Sequence, residues 1–147
     1  MTLKKLGAIA LGSGAATLIL VQALRSPRRW APDAGALTAP PEVITILKNS
    51  CYDCHSNQTQ WPWYGRVPPL SWWISREVEL GRRQVNFSDW AGYYPITKQH
   101  KLQWIGRSVR ESNMPPLPYR LMHPAARLTE GDRRAIEQWV EAELAHQ

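Results

Sequence analysis

Cysteine is scarce in this chain. Only Cys51 and Cys54 occur in 147 residues, and they stand three apart. With no second pair, a four-thiolate zinc site lacks half of its ligands. Sustained apolar–polar alternation is absent, which removes a half-buried sheet, and no βαβ pattern surrounds the two cysteines to make them a thioredoxin-like dithiol. Acidic residues are missing from the first 29 positions, where Lys4, Lys5, Arg25, Arg28 and Arg29 stand alone. The formal charge of +6 is concentrated there: residues 30–147 hold 13 basic and 12 acidic side chains. Once that segment is set aside no basic footprint remains, and a nucleic-acid partner is excluded.

What is present around the two cysteines is more specific. Cys51-Tyr52-Asp53-Cys54-His55 has the spacing of a covalent c-type haem attachment site. Thiols at i and i+3 on one helical turn can each add to one vinyl group of a porphyrin. The histidine after the second thiol brings an imidazole to the iron as an axial ligand. The competing readings are a simple structural disulfide, a redox dithiol and half a zinc site.

Residues 6–24 carry no charge. As a helix this stretch spans about 28 Å, near the thickness of a bilayer core. It is expected to be an uncleaved membrane-spanning anchor, with cleavage after Ala23 as the alternative. Basic residues on both sides nearly balance the positive-inside rule. Haem-thioether formation takes place outside the bacterial cytoplasmic membrane, so the domain is expected in the periplasm. The organisation expected is an anchor over 1–24, a Pro/Ala/Gly/Arg linker over 25–39 and a haem-binding domain over 40–147.

Within that domain the fold class expected is all-α, a small cytochrome c-like helical domain whose long loops wrap one covalent haem. A first helix starts at Pro41 and buries Val43, Ile44, Ile46 and Leu47. A second runs from about Ser71 to Gln84 with Ser71 as a possible cap, and a third from about Lys98 to Ser112 with Leu102, Ile105 and Val109 inward. The last is capped by Thr129 with Asp132 three residues on, and carries Ala135, Ile136, Trp139, Val140 and Leu144 on one stripe. Long loops between them are acceptable if a porphyrin supplies the apolar surface. Eight tryptophans and five tyrosines suit packing on a flat ring.

The sixth iron position has five candidates: Met114, Met122, His100, His123 and His146. Met114 precedes two prolines, which make a stiff segment able to hold a thioether without helix geometry. It also stands 59 residues from His55, far enough for the chain to pass around the ring. His123 is read first as a capping or propionate-side residue, and His100 and His146 as surface groups. Arg66, Arg82, Trp61 and Tyr119 are candidate propionate partners.

These residues resemble the bacterial haem-binding domain family, small exported proteins akin to c-type cytochromes. The matching elements are Cys51-x-x-Cys54-His55-Ser56-Asn57, Trp61 with Trp63 and Tyr64, and Pro69 with Trp72-Trp73. Further along the chain stand Gly81-Arg82, Asn86-Phe87-Ser88-Asp89-Trp90, Met114-Pro115-Pro116 with Tyr119, His123-Pro124, Leu128 and Trp139. The resemblance covers about residues 40–142. It implies one haem c bound through Cys51 and Cys54 with His55 as proximal ligand, and it is consistent with Met114 as the other. Arg76 stands where relatives often carry a histidine, and its presence here favours Met114. The function expected is outer-sphere electron transfer by a membrane-tethered carrier, not an enzyme, with an undefined redox partner. The alternative is a gas or peroxide sensor, or a peroxidase-like enzyme, in which Met114 dissociates.

Overall fold

The structure, a computed structural model, describes residues 12–14, 16–17, 20 and 35–146. The chain divides into two units between Trp30 and Ala31, and the helices of the expected domain belong to the second. Most of the expected anchor over 6–24 lies outside the described residues. Among the described residues no helix is long and apolar enough to cross a membrane.

Among its described residues six α-helices order the domain: α1 Pro41–Ser50, α2 Tyr52–His55, α3 Leu70–Gln84, α4 Pro95–Arg110, α5 Leu117–Met122 and α6 Glu130–Ala145. Short 3-10 turns lie at Trp63–Arg66, Phe87–Gly92 and Pro124–Ala126. No strand occurs among the described residues, as the absence of alternation implied.

The core forms where α4 packs on α6 and α1 packs across α6. Leu47, Leu102 and Ile136 are wholly enclosed there, with Val43, Ile105, Val109, Trp139 and Val140 around them. Each helix contributes the stripe that its 3.6-residue period brings to one side. Gly106 sharpens the α4–α6 contact, because a Cβ there would stand 3.2 Å from Val140 Cγ1. The start of α6 is the capping box expected from the sequence: Thr129 Oγ1 accepts from Asp132 N at 3.1 Å, and Asp132 Oδ2 accepts from Thr129 N at 2.8 Å.

Four boundaries differ from expectation. First, α3 opens after Pro69 with no side-chain cap, so Ser71 does not cap it. Second, α4 opens at Pro95, three residues early, because a proline at the first helical position loses no hydrogen bond. Third, α5 was concealed by its own prolines: Pro116 is extended at φ −67°, ψ 150°, and the chain turns helical directly after it. Fourth, the last part of the expected linker belongs to the domain. Leu37 is buried and its N–H donates to Phe87 O at 2.8 Å, while Ala91 N donates to Gly35 O at 2.9 Å.

The end of α4 places Met114. Ser112 takes the left-handed conformation at φ 57°. Its N–H then donates to Val109 O at 3.1 Å, and Asn113 N to Ser108 O at 3.0 Å, the paired bonds of a Schellman cap. Met114 N shares the Ser108 carbonyl at 3.2 Å. The Met114–Pro115 peptide is cis.

Candidate functional site

The two cysteines and His55 lie where α1 breaks and α2 makes one further turn. Cys51 N donates to Leu47 O at 2.8 Å, which closes α1, and Cys51 O accepts from His55 N at 2.9 Å, which closes α2. No disulfide joins the two cysteines. Burial, and then the neighbouring Cys54, pushes Cys51 up to about 12. Burial, then Asp53 and Glu77, pushes Cys54 up to about 11, with Arg82 opposing. At neutral pH both therefore keep their protons.

His55 is oriented from behind. Its Nδ1 stands 3.1 Å from Val85 O, at the end of α3, and donates its proton there. That tautomer leaves the lone pair on Nε2, the arrangement found when a histidine binds a metal. Burial lowers the pKa of the ring, so it stays neutral. Trp104 and Phe87 flank it, with ring centroids at 5.7 and 6.1 Å.

The close approach of α3 to the cysteine turn depends on Gly81. A Cβ there would meet Cys54 O at 2.6 Å, closer than such atoms come. Nearby, Arg82 Nε donates to Ser56 O at 2.6 Å and Nη2 to Thr59 Oγ1 at 2.7 Å. The Asn86–Trp90 run completes this backing. Ser88 Oγ accepts from Asn57 N at 3.0 Å and Asn86 Nδ2 donates to Asn57 Oδ1 at 2.9 Å.

In front of His55 opens a cavity of about 570 Å³, within the usual range for a small-molecule or cofactor pocket. Cys51, Cys54, His55 and Met114 all line it. One wall is the stripe of α3 that carries Leu70, Trp73, Ile74, Glu77 and Gly81, and another is Trp104, Ile105 and Val109 of α4. An apolar cleft holding two thiols, an oriented imidazole and a thioether has the chemistry a haem requires.

The other candidates are sorted by this geometry. Met122 and His123 also line the cavity, so the structure brings three of the five candidate ligands to it. Met122 is 58% exposed, whereas Met114 is half-buried. His123 Nε2 is engaged by Tyr64 Oη at 2.6 Å and its ring stacks on Tyr119 at 4.3 Å. His100 and His146 are exposed and line nothing. Trp61 and Tyr119 line the cavity, and among the described residues no lysine or arginine does.

Sequence reasoning did not find Val85, Gly81 or the pairing of Tyr119 with Asp53. Only the glycine had a visible signal, in the Gly81-Arg82 pair that the resemblance included.

The chain matches the model of the haem-binding domain family over residues 16–142, and it belongs to that family. It is also similar to the cytochrome c peroxidase Ccp of Escherichia coli (strain K12), at 22% identity over 119 residues, 76% of this chain and 25% of that protein. The chain thus spans about a quarter of the length of this curated relative. No solved structure matches it. Membership of the family shows that the chain is a haem-binding domain.

Proposed function

We propose that the protein is a membrane-tethered, periplasmic electron carrier of the c type. In this reading one haem is held through thioethers to Cys51 and Cys54, with His55 and Met114 as its axial ligands. The observation that carries it is the oriented His55, its Nδ1 tied to Val85 O, in one cavity with both thiols and the Met114 thioether. The haem supplies a site that takes up and gives back one electron as the iron changes oxidation state. The chain does the rest. The Val85 carbonyl holds the imidazole in one tautomer, α3 and α4 exclude water from two sides, and the Schellman cap of α4 sets where Met114 begins. Ligation by histidine and methionine raises the reduction potential relative to two histidines.

Tethering rests on the uncharged run 6–24, and the periplasmic side on where haem thioethers are made. A periplasmic reporter fused at Gln147 should be active, and alkaline carbonate should leave the protein in the membrane fraction.

A second reading has one specific support, the similarity to a protein named as a cytochrome c peroxidase. There Met114 would leave the iron, and the protein would sense or turn over a small molecule. The optical spectrum separates the two. A carrier is six-coordinate and low-spin in both oxidation states, with the weak long-wavelength sulfur-to-iron band when oxidised. Met114→Ala should abolish that band, lower the potential and admit carbon monoxide, while Met122→Ala should change none of these. A five-coordinate wild-type iron at rest would remove the carrier reading.

A further inference from the structure

The segment that carries Met114 continues into α5, and α5 is poorly anchored by apolar packing. None of its residues is buried, and Leu117, Leu121 and Met122 are each more than half exposed. Such a helix, only six residues long, has no stability of its own. What reaches across to it is polar. Tyr119 Oη donates to Asp53 Oδ2 at 2.8 Å. Asp53 lies between the two cysteines, and it is itself held: its Oδ1 accepts from Gln60 N at 2.9 Å and its carbonyl from Thr59 Oγ1 at 2.6 Å. On the other side of the Tyr119 ring, His123 is stacked and bonded to Tyr64. Asp53, Tyr64, Tyr119 and His123 all line the cavity.

We infer that the Tyr119–Asp53 hydrogen bond, backed by the His123–Tyr64 pair, is a clasp that holds the Met114-bearing segment closed over the haem site. The inference rests on the reading that this cavity holds haem. Tyr119 and Asp53 are then positioning residues: neither bonds the iron, and both decide how often the segment leaves it. The attachment motif would in this way supply more than the two thioethers and His55. Its intervening Asp53 ties the opposite wall of the cavity to the cysteine turn, 66 residues away in sequence. Burial and the Asp53 carboxylate push the Tyr119 phenol up, so it keeps the proton that it donates.

The test is an imidazole titration of the purified holoprotein, with amide hydrogen exchange across α5 on the same samples. Tyr119→Phe retains the ring that stacks on His123 and removes only the hydroxyl. Loss of a hydrogen bond to a charged group should let the segment open about tenfold more often. Imidazole should then bind about tenfold more tightly, because less of its binding is used to displace the segment. The α5 amides should exchange faster by a similar factor, with covalent haem content unchanged. Asp53→Ala should act alike, and the double variant should add little, as expected for two ends of one bond. Asp53→Asn keeps a carbonyl acceptor and should fall between. Wild-type imidazole affinity in Tyr119→Phe overturns the clasp, whatever the exchange rates show. Failure of the ligand reading looks different: Met114→Ala would then leave the wild-type spectrum unchanged, while Tyr119→Phe still reports access to the iron.

Discussion

The two faces of α4 are packed in different ways. Toward α1 and α6, Leu102, Ile105 and Val109 meet Leu47, Ile136, Trp139 and Val140, and side chain fills against side chain. Toward His55, Trp104 faces the cavity beside the edges of Ile105 and Val109, and the wall across from it includes a stripe of α3 and segments tied by the Tyr64–His123 and Tyr119–Asp53 hydrogen bonds. The first face is an ordinary helical core. The second lines an apolar cavity, the kind of wall a flat apolar cofactor packs against. On the proposed reading, the first face would keep its packing without haem and the second would gain packing from it.

The largest expected effect breaks that comparison if it fails. Ile136→Ala should cost about 2–5 kcal/mol, as large-to-small changes in closed cores do. It should cost nearly the same in apoprotein and holoprotein, measured by urea unfolding, because Ile136 lies on the haem-free face. A penalty confined to the holoprotein would show that the two faces are not separate.

Next comes the cysteine turn. A thiol raised from 9.0 to about 11 carries about a hundredfold less thiolate at pH 8, so alkylation of Cys54 in the apoprotein should be about a hundredfold slower than for a free cysteine. The same shifts act on stability. Both folded thiols bind protons more tightly than in the unfolded chain, so their contribution is complete below pH 9 and is lost as pH rises toward 11 to 12. Apoprotein stability should fall over that window. The holoprotein, whose sulfurs would be thioethers, should lack this component, and an equal fall in both forms would count against covalent attachment.

Gly81→Ala should cost about 1–3 kcal/mol, since its Cβ would press on the Cys54 carbonyl and helix α3 would have to retreat. The retreat also moves Val85 from His55, so holoprotein yield should drop alongside stability. Unchanged yield and melting temperature would mean that the approach of α3 does not position the motif.

The smallest effect has the opposite sign. Ser112→Gly relieves a left-handed non-glycine residue and should stabilise the domain by about 1 kcal/mol. Because it leaves the Schellman bonds in place, the optical spectrum should not move. A spectral change would show that Met114 is held by Ser112 itself rather than by the cap.

How much of this was legible in the sequence depended on the range of the interaction. Thr129 and Asp132 are three residues apart, and their capping box could be read directly. So could the Cys51–His55 turn and the apolar stripes of α1, α4 and α6, each set by local periodicity. Val85 was not legible, because the carbonyl that orients His55 comes from 30 residues away and carbonyls have no sequence signature. Tyr119 and Asp53 meet across 66 residues, and nothing in either residue names the other. Gly81 was visible as a glycine, but its reason is a contact with Cys54 that only the packed helices create. The role of Arg82 in stitching the Ser56–Thr59 loop was hidden for the same reason, since its partners lie 23 and 26 residues away.

The central claim is that the cavity holds one haem bonded to Cys51 and Cys54, and its most direct test is extraction. Holoprotein made with c-type maturation machinery is denatured and treated with acidified organic solvent, and the haem is followed by its pyridine spectrum. The account predicts that the haem stays with the polypeptide and gives the spectrum of a two-thioether porphyrin, and that Cys51→Ala and Cys54→Ala each reduce the amount retained. Haem that passes entirely into the organic phase would contradict it.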